Sequence, residues 1–312
     1  MEKDNRHSNP APVALFCFNR PDHLEQTLAS LQANHLAQAT PLFIFSDGPR
    51  HAPDQPKVNK VRQIAEAFQN MESVQVIKRE QNYGLARSII KGVSEVIRKY
   101  GRCIVLEDDL ELSPFFLSFM NQALEIYETD QSVFSVSGYC PPIRIPRYFA
   151  HEAFQFPRIN SWGWGTWVDR WEKVDWDVSR FNHFIHDPIQ VKELEKQGKD
   201  LPVMLLKQQT GQNNSWAVRF NQACFENGMT NIYPVRSLVR NRGADSSGTH
   251  MKASRKFSVA LTKDLPEPYP AVSDPQIDAS FRRFYHPSLY RQTINRLKIL
   301  RYRFTHFRPQ CL

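Results

Sequence analysis

Residues 103–114 read Cys-Ile-Val-Leu-Glu-Asp-Asp-Leu-Glu-Leu-Ser-Pro. The run Cys103 to Leu106 has the length and apolar character of a strand buried on both faces. It leads directly into three adjacent acids, Glu107, Asp108 and Asp109. Neighbouring carboxylates repel one another, and a cation shared with a ligand relieves that repulsion; Mg²⁺ and Mn²⁺ are commonly held by one or two carboxylates plus substrate phosphate oxygens. The plainer alternative is a set of solvated acids near the positive N-terminus of the next helix. Their place after an apolar strand favours the metal.

Strands and helices alternate on both sides of this stretch. Upstream, Pro12 to Phe18 (PVALFCF) reads as a buried strand, followed by Asn19, Arg20 and Pro21 and then by Leu24, Leu28 and Leu31 at helical spacing. Leu42 to Phe45 is a second strand, closed by Ser46-Asp47-Gly48-Pro49, and Val58, Val61, Ile64, Ala65 and Phe68 mark the helix after it. Val74 to Ile77 is a third strand. Asn82-Tyr83-Gly84 then opens a helix whose apolar face is Leu85, Ile89, Val93, Val96 and Ile97. Downstream, Ser113 is read as the cap and Pro114 as the first turn of a helix continuing through Phe115 to Tyr127, and Val133 to Ser137 is a fifth strand. This order predicts an α/β fold, a Rossmann-like and mostly parallel sheet with helices on both faces. Beyond Gly138 prolines cluster, aromatics become dense and the alternation stops, which predicts a loop-rich half carrying specificity. Helices are expected there at Ile189 to Gln197 and Trp216 to Glu226.

Composition narrows the class. At 312 residues, 41% hydrophobic and 23% charged, the chain is neither collagen-like, coiled-coil nor disordered. No apolar run approaches the roughly 18 to 20 residues of a membrane span, and Met1 to Pro10 is polar where a signal peptide is apolar, so a cytoplasmic location is expected. The five cysteines are scattered without a C-x-x-C pair and are read as free thiols. The net charge of +8 is concentrated: no acid follows Asp278, whereas Arg282, Arg283, Arg291, Arg296, Lys298, Arg301, Arg303 and Arg308 do. Tyr290, Ile294, Leu297, Leu300 and Phe304 recur among them at helical spacing. The tail is therefore read either as a peripheral helix on an anionic membrane surface or as a basic helix packed back on the domain. No nucleic-acid motif accompanies the charge, and nucleic acid is not an expected partner.

Ligands of open α/β sheets bind beyond the carboxyl ends of the strands. Asn19 and Arg20, Asp47, Asn82 and Arg87, and the acid triplet all follow predicted strands. Neither G-x-G-x-x-G after the first strand nor G-x-x-x-x-G-K-[ST] occurs, so the usual dinucleotide and P-loop cradles are absent.

Four short motifs, F-N-R-P at Phe18, S-D-G at Ser46, N-x-G-L-A at Asn82 and L-E-D-D at Leu106, together resemble a GT-A-fold nucleotide-sugar glycosyltransferase, bacterial and family 2-like. Ile104 to Pro114 is similar to the E-D-D segment of the eukaryotic N-acetylglucosaminyltransferase that starts complex N-glycans, and the resemblance extends from Val13 to His250. It implies a nucleotide-sugar-binding half at 12–140 after a disordered tail at 1–11, an acceptor-binding half of the same domain at 141–260, and a basic extension at 261–312. It implies Mn²⁺ or Mg²⁺ on Asp109 and His250, ribose and donor sugar at Asp108 and Glu107, the nucleoside at Asp47, the nucleotide pocket at Asn19 and Arg20, and pyrophosphate at Arg87. The implied reaction moves a hexose or N-acetylhexosamine, from a UDP-sugar by preference, to a saccharide or lipid-linked saccharide. The setting it implies is synthesis of a bacterial surface polysaccharide or lipopolysaccharide.

The second half has its own signature, Asn160 to Trp171 (NSWGWGTWVDRW). Indole faces stack on sugars, and the stretch resembles a tryptophan-glycine acceptor loop, which assigns Trp162 and Trp164 to the acceptor; the other reading of these tryptophans is core packing, expected for at least two of the four. Asn241 to His250 (NRGADSSGTH) is a polar loop suited to a lid, with Gly243 and Gly248 as hinges. The catalytic base is where the resemblance fails. An Asp-Asp-Trp segment supplies it in the eukaryotic relative, whereas Asn213-Asn214-Ser215-Trp216 stands here, and an amide cannot take the acceptor's proton. Asp245 in the lid is assigned that role, the alternatives being Asp169, an acid elsewhere in the chain, or a reaction that retains configuration. Two rival readings remain: a non-catalytic saccharide-binding pseudo-transferase, and a sugar nucleotidyltransferase, whose glycine-rich loop is missing near Asn19.

Overall fold

The computed structural model of the chain describes residues 10–243 and 256–306. The first part follows the predicted alternation: β1 (Val13–Cys17), α1 (Pro21–Gln32), β2 (Pro41–Ser46), α2 (Gln55–Ala67), β3 (Ser73–Lys78), α3 (Leu85–Tyr100) and β4 (Arg102–Glu107). After the acid triplet come a short β5 (Leu110–Leu112), α4 (Phe116–Ile126) and β6 (Val133–Ser137). The helix α4 starts later than its sequence signals suggest. Ser113 lies outside it, yet its hydroxyl accepts from the Phe115 N–H at 3.3 Å in the turn that leads into α4 and donates to the Thr262 carbonyl at 2.9 Å, so it both closes that turn and ties it to a distant segment.

The second part is richer in regular structure than its composition predicts. It contains β7 (Ala153–Phe156), β8 (Trp164–Trp167), α5 (Val168–Trp171), α6 (Phe181–His186), α7 (Pro188–Glu195), α8 (Leu201–Gln209), α9 (Trp216–Glu226), β9 (Thr230–Pro234), β10 (Val239–Asn241), β11 (Ala271–Val272), α10 (Pro275–Tyr285) and α11 (Leu289–Thr305). Of the expected helices, Trp216 to Glu226 matches α9, and the one at Ile189 is α7, capped by the Asp187 carboxylate on the Ile189 and Gln190 N–H groups.

One nine-stranded sheet, in the order β11-β7-β9-β6-β8-β4-β1-β2-β3, runs through both parts. Strands β3, β2, β1 and β4 are parallel, and β8 enters antiparallel between β4 and β6. The alternation of side chains along β1 explains why it must be apolar throughout: Val13, Leu15 and Cys17 join the core under α1 and α4, while Ala14 and Phe16 join the core under α3. A separate two-stranded ribbon pairs β10 with β5, Asn241 opposite Leu110. It brings Asn241 and the start of the polar segment after it to the acid triplet, and the Arg242 N–H donates to the Asp109 carbonyl at 2.8 Å. Cys17, Cys103, Cys140 and Cys224 are free and buried; Cys311 lies outside the described residues.

Candidate active site

A cavity of about 640 Å³ opens at the carboxyl ends of β1, β2 and β4. Asn19, Arg20, Asp47, Glu107, Asp108 and Asp109 line it, as does Trp162. Its far wall comes from the segment joining α8 to α9, including Asn213, Asn214 and Ser215, and from Asn241 at the end of β10 and Gly243 just after it.

The acids sit there because β4 ends at Glu107 and the chain must turn before β5. Arg20, leading into α1, answers them: its guanidinium donates to Asp109 Oδ2 at 3.0 Å and, more closely, to Asp108 Oδ1. One cation faces three carboxyls, and the excess negative charge appears as proton affinity. Burial, then the charges of Asp109 and Asp108, hold Glu107 well above the usual carboxylate range, with Arg20 opposing. Burial also raises Asp108, to about 6, against the attraction of Arg20. Burial acts against the charge on Arg20 itself, but Asp108 and Asp109 outweigh it and keep the guanidinium protonated.

Two oxygens on the cavity wall, Asp109 Oδ1 and Asn241 Oδ1, are buried without a hydrogen-bond partner among the described residues. An orphaned buried oxygen costs free energy that a hard cation recovers, and an oxygen-only donor set of one carboxylate and one amide suits Mg²⁺ or Mn²⁺ completing their shells with phosphate and water. Among the described residues no three His, Cys, Asp or Glu side chains converge, as a closed all-protein site would require. Gly243 is packed against the Asp109 carboxylate so closely that a Cβ there would overlap Oδ2.

Asp47 is committed to backbone. Its Oδ1 accepts from the Tyr83 N–H at 2.8 Å and the Gly48 N–H at 3.0 Å, and its Oδ2 from the Gly84 N–H at 3.0 Å. This clamps the β3–α3 turn, where Gly84 takes φ +71, a region that favours glycine. Asn19 donates to Asp54 Oδ1 at 3.0 Å, joining the loops after β1 and β2.

Two sequence assignments are corrected. Arg87 does not line the cavity: the face of α3 turned toward it carries Leu85 and Ser88, and Arg87 points to solvent with its guanidinium 4.6 Å from the Tyr83 ring centroid. Trp164 offers no face to a sugar. It is 1% exposed on β8, with Trp216 stacked at 4.9 Å and Trp171 at 6.0 Å. Trp167 and Trp171 are equally core, donating their indole N–H groups to the Leu124 carbonyl and to Ser94 Oγ. Trp162 alone of the four lines the cavity, edge-on to Tyr139 at 4.6 Å. Asp169 is held by Arg170 and Gln131 away from the cavity. Asp245 and His250 lie outside the described residues.

Sequence reasoning missed Arg50, Lys207 and Asn241, all of which line the cavity. Arg50 lies across the Phe18 ring at 4.9 Å and its backbone N–H donates to Asp54 Oδ2 at 3.2 Å. Only Asn241 carried a local signal, as the first residue of the polar, glycine-containing run 241–250.

Solved structures similar to the chain include the mannosyltransferase PcManGT from Pyrobaculum calidifontis in complex with GDP-Man and Mn²⁺, at 14% identity and TM-score 0.36 over 52% of this chain and 45% of that one. Another is S. aureus TarS, at 10% identity and TM-score 0.40 over 75% and 37%. In sequence, the chain is 25% identical over 186 residues to an Arabidopsis thaliana protein named alpha-1,3-mannosyl-glycoprotein 2-beta-N-acetylglucosaminyltransferase. That match takes in 54% of this chain and spans 41% of the relative's length. Residues 2–141, which hold Asn19, Arg20, Asp47 and the acid triplet, match the model of the GNT-I family.

Proposed function

We propose that the chain is a GT-A-type glycosyltransferase that moves a sugar from a nucleoside diphosphate donor to a saccharide or lipid-linked saccharide, in the assembly of a bacterial surface polysaccharide or lipopolysaccharide. The observation that carries the proposal is Asp109, a buried carboxylate with one oxygen unpartnered among the described residues, in a cavity at the ends of the parallel strands. A UDP-sugar is the favoured donor. The name of the Arabidopsis relative supports an N-acetylhexosamine as the sugar, with a hexose as the alternative.

Asp109, with Asn241 and His250, would hold Mn²⁺ or Mg²⁺. When bound, that cation neutralises charge gathering on the leaving nucleoside diphosphate without a proton transfer. The chain's own groups position the rest. Arg20 fixes Asp108 and Asp109 toward ribose and metal, Glu107 faces the donor sugar, and Asp47 and Asn19 shape the nucleoside end through the loops they clamp. Arg50 and Lys207 take the pyrophosphate contact first assigned to Arg87, as charge-assisted donors. Trp162 offers an indole to the acceptor, and Asn213, Asn214 and Ser215 orient its hydroxyls. Asp245 takes the proton of the attacking hydroxyl.

One observation favours a second reading, a saccharide-binding protein without turnover. Among the described residues the acids lining the cavity are Asp47 and the triplet, and the acceptor wall carries amides and hydroxyls. Incubation with Mn²⁺, UDP-, GDP- and dTDP-sugars and a panel of saccharides separates the readings. The proposal expects a free nucleoside diphosphate and an elongated saccharide. Bound donor with no product would establish the second reading, and pyrophosphate released from a nucleoside triphosphate and a sugar phosphate would establish a nucleotidyltransferase.

A further inference from the structure

Among the described residues, helix α11 is covered on one side only. Asn295 and Ile299 are buried toward α6 and α8, and the Tyr302 hydroxyl donates to Asn182 Oδ1 at 3.0 Å. On the far side Leu289, Tyr290, Leu297, Leu300 and Phe304 are exposed, Phe304 to 82%. At ~100° per residue these five fall within one arc of roughly 100°, opposite Asn295 and Ile299. Arg301 borders that arc on one side and Arg296 on the other, and Lys298 and Arg291 follow beyond Arg301, roughly 80° and 100° past the arc's edge; all four are exposed. The helix contains no acid, and among the described residues none of the four cations forms an ion pair.

An apolar stripe aimed away from the protein, with cations along both borders, is the pattern of a helix lying in a lipid interface, where the cations meet headgroup phosphates and the apolar side chains enter the acyl boundary. We infer that α11 docks the protein on an anionic membrane surface through this stripe. The charge selects the partner: a second copy pressed on the same face would set the flanking Arg296 and Arg301 of one copy against those of the other with no acid on the helix to answer them, whereas an anionic bilayer neutralises them. The helix lies on the membrane and does not cross it, since no described helix is long and apolar enough to span. Helix α8 links this surface to the cavity, because it packs against α11 and also supplies Met204 and Lys207 to the cavity wall. The docking surface stands without the transfer reading; where both hold, the enzyme works beside the membrane that presents a lipid-linked acceptor.

The test is co-flotation of the full chain with phosphatidylcholine vesicles and with vesicles also containing phosphatidylglycerol. Wild type, Leu297→Ser/Phe304→Ser and Lys298→Gln/Arg301→Gln are compared. Wild type is expected on the anionic vesicles, and each pair of substitutions should weaken that binding by about tenfold or more. All four side chains are exposed, so the thermal midpoints should not move and confirm that the variants fold. Equal recovery on neutral and anionic vesicles, or no vesicle binding by wild type, would overturn the inference. So would a wild-type dimer that Leu297→Ser/Phe304→Ser dissociates, which would assign the face to a second copy. Nucleotide titration of the same variants keeps the two claims apart: vesicle binding without nucleotide binding retains the docking surface and removes the transfer reading.

Discussion

At Glu107, burial and two neighbouring carboxylates act against ionisation and only Arg20 acts for it. The folded protein therefore binds a proton here more tightly than the unfolded chain, whose carboxyl keeps its ordinary value of 4.5. A group raised on folding contributes its stability in full below the unfolded value and loses it as pH climbs through the folded one. Metal-free wild type should thus lose stability relative to Glu107→Gln, which has no proton to lose, by about 1–3 kcal/mol between about pH 5 and about pH 8. Thermal melts in chelator measure this, and a gap constant across that range would contradict it. The triplet, Asn19, Arg20 and Asp47 were legible in sequence because each follows an apolar strand, and strand ends converge by topology alone. Arg87 was misplaced by helical phase, since its neighbours Leu85 and Ser88 take the inward positions of α3. Arg50 and Lys207 reach the cavity only through tertiary structure, which no local pattern announces.

Among the elements, β8 departs furthest from its sequence reading. Trp-Gly-Thr-Trp looks like a sugar platform, yet the strand is inserted between β4 and β6 in the middle of the sheet. The parallel strands β1, β2 and β4 were readable as continuous apolar runs set apart by helices. Strands β7 to β11, of two to five residues, are too short for a period to emerge, and β8 pairs antiparallel across a long stretch of chain. The stacked indoles of Trp164, Trp171 and Trp216 fill the space between β8 and α9. Trp164→Ala should accordingly lower stability by about 3–5 kcal/mol in denaturant unfolding. A loss below about 1 kcal/mol, far under the usual cost of truncating a buried aromatic, with weakened saccharide binding would return Trp164 to the acceptor site.

Across the whole molecule, one sheet joins the half that was legible to the half that was not, and the cavity lies where they meet. The first half supplies carboxylates and Arg20; the second closes the wall with amides, Lys207 and Trp162. The concentration of charge at the C-terminus was also plain in the sequence, but only the packing of α11 on Asn295 and Ile299 shows which of its faces is free. The central claim is that this cavity holds a nucleoside diphosphate together with a divalent cation on Asp109. Calorimetric titration of UDP, GDP, CDP and dTDP, with and without Mn²⁺, into wild type and Asp109→Ala tests it most directly. The account predicts that one nucleotide, UDP first, binds wild type only when Mn²⁺ is present and that Asp109→Ala abolishes this binding. Nucleotide binding unchanged in Asp109→Ala, or no binding of any of the four to wild type, would contradict it.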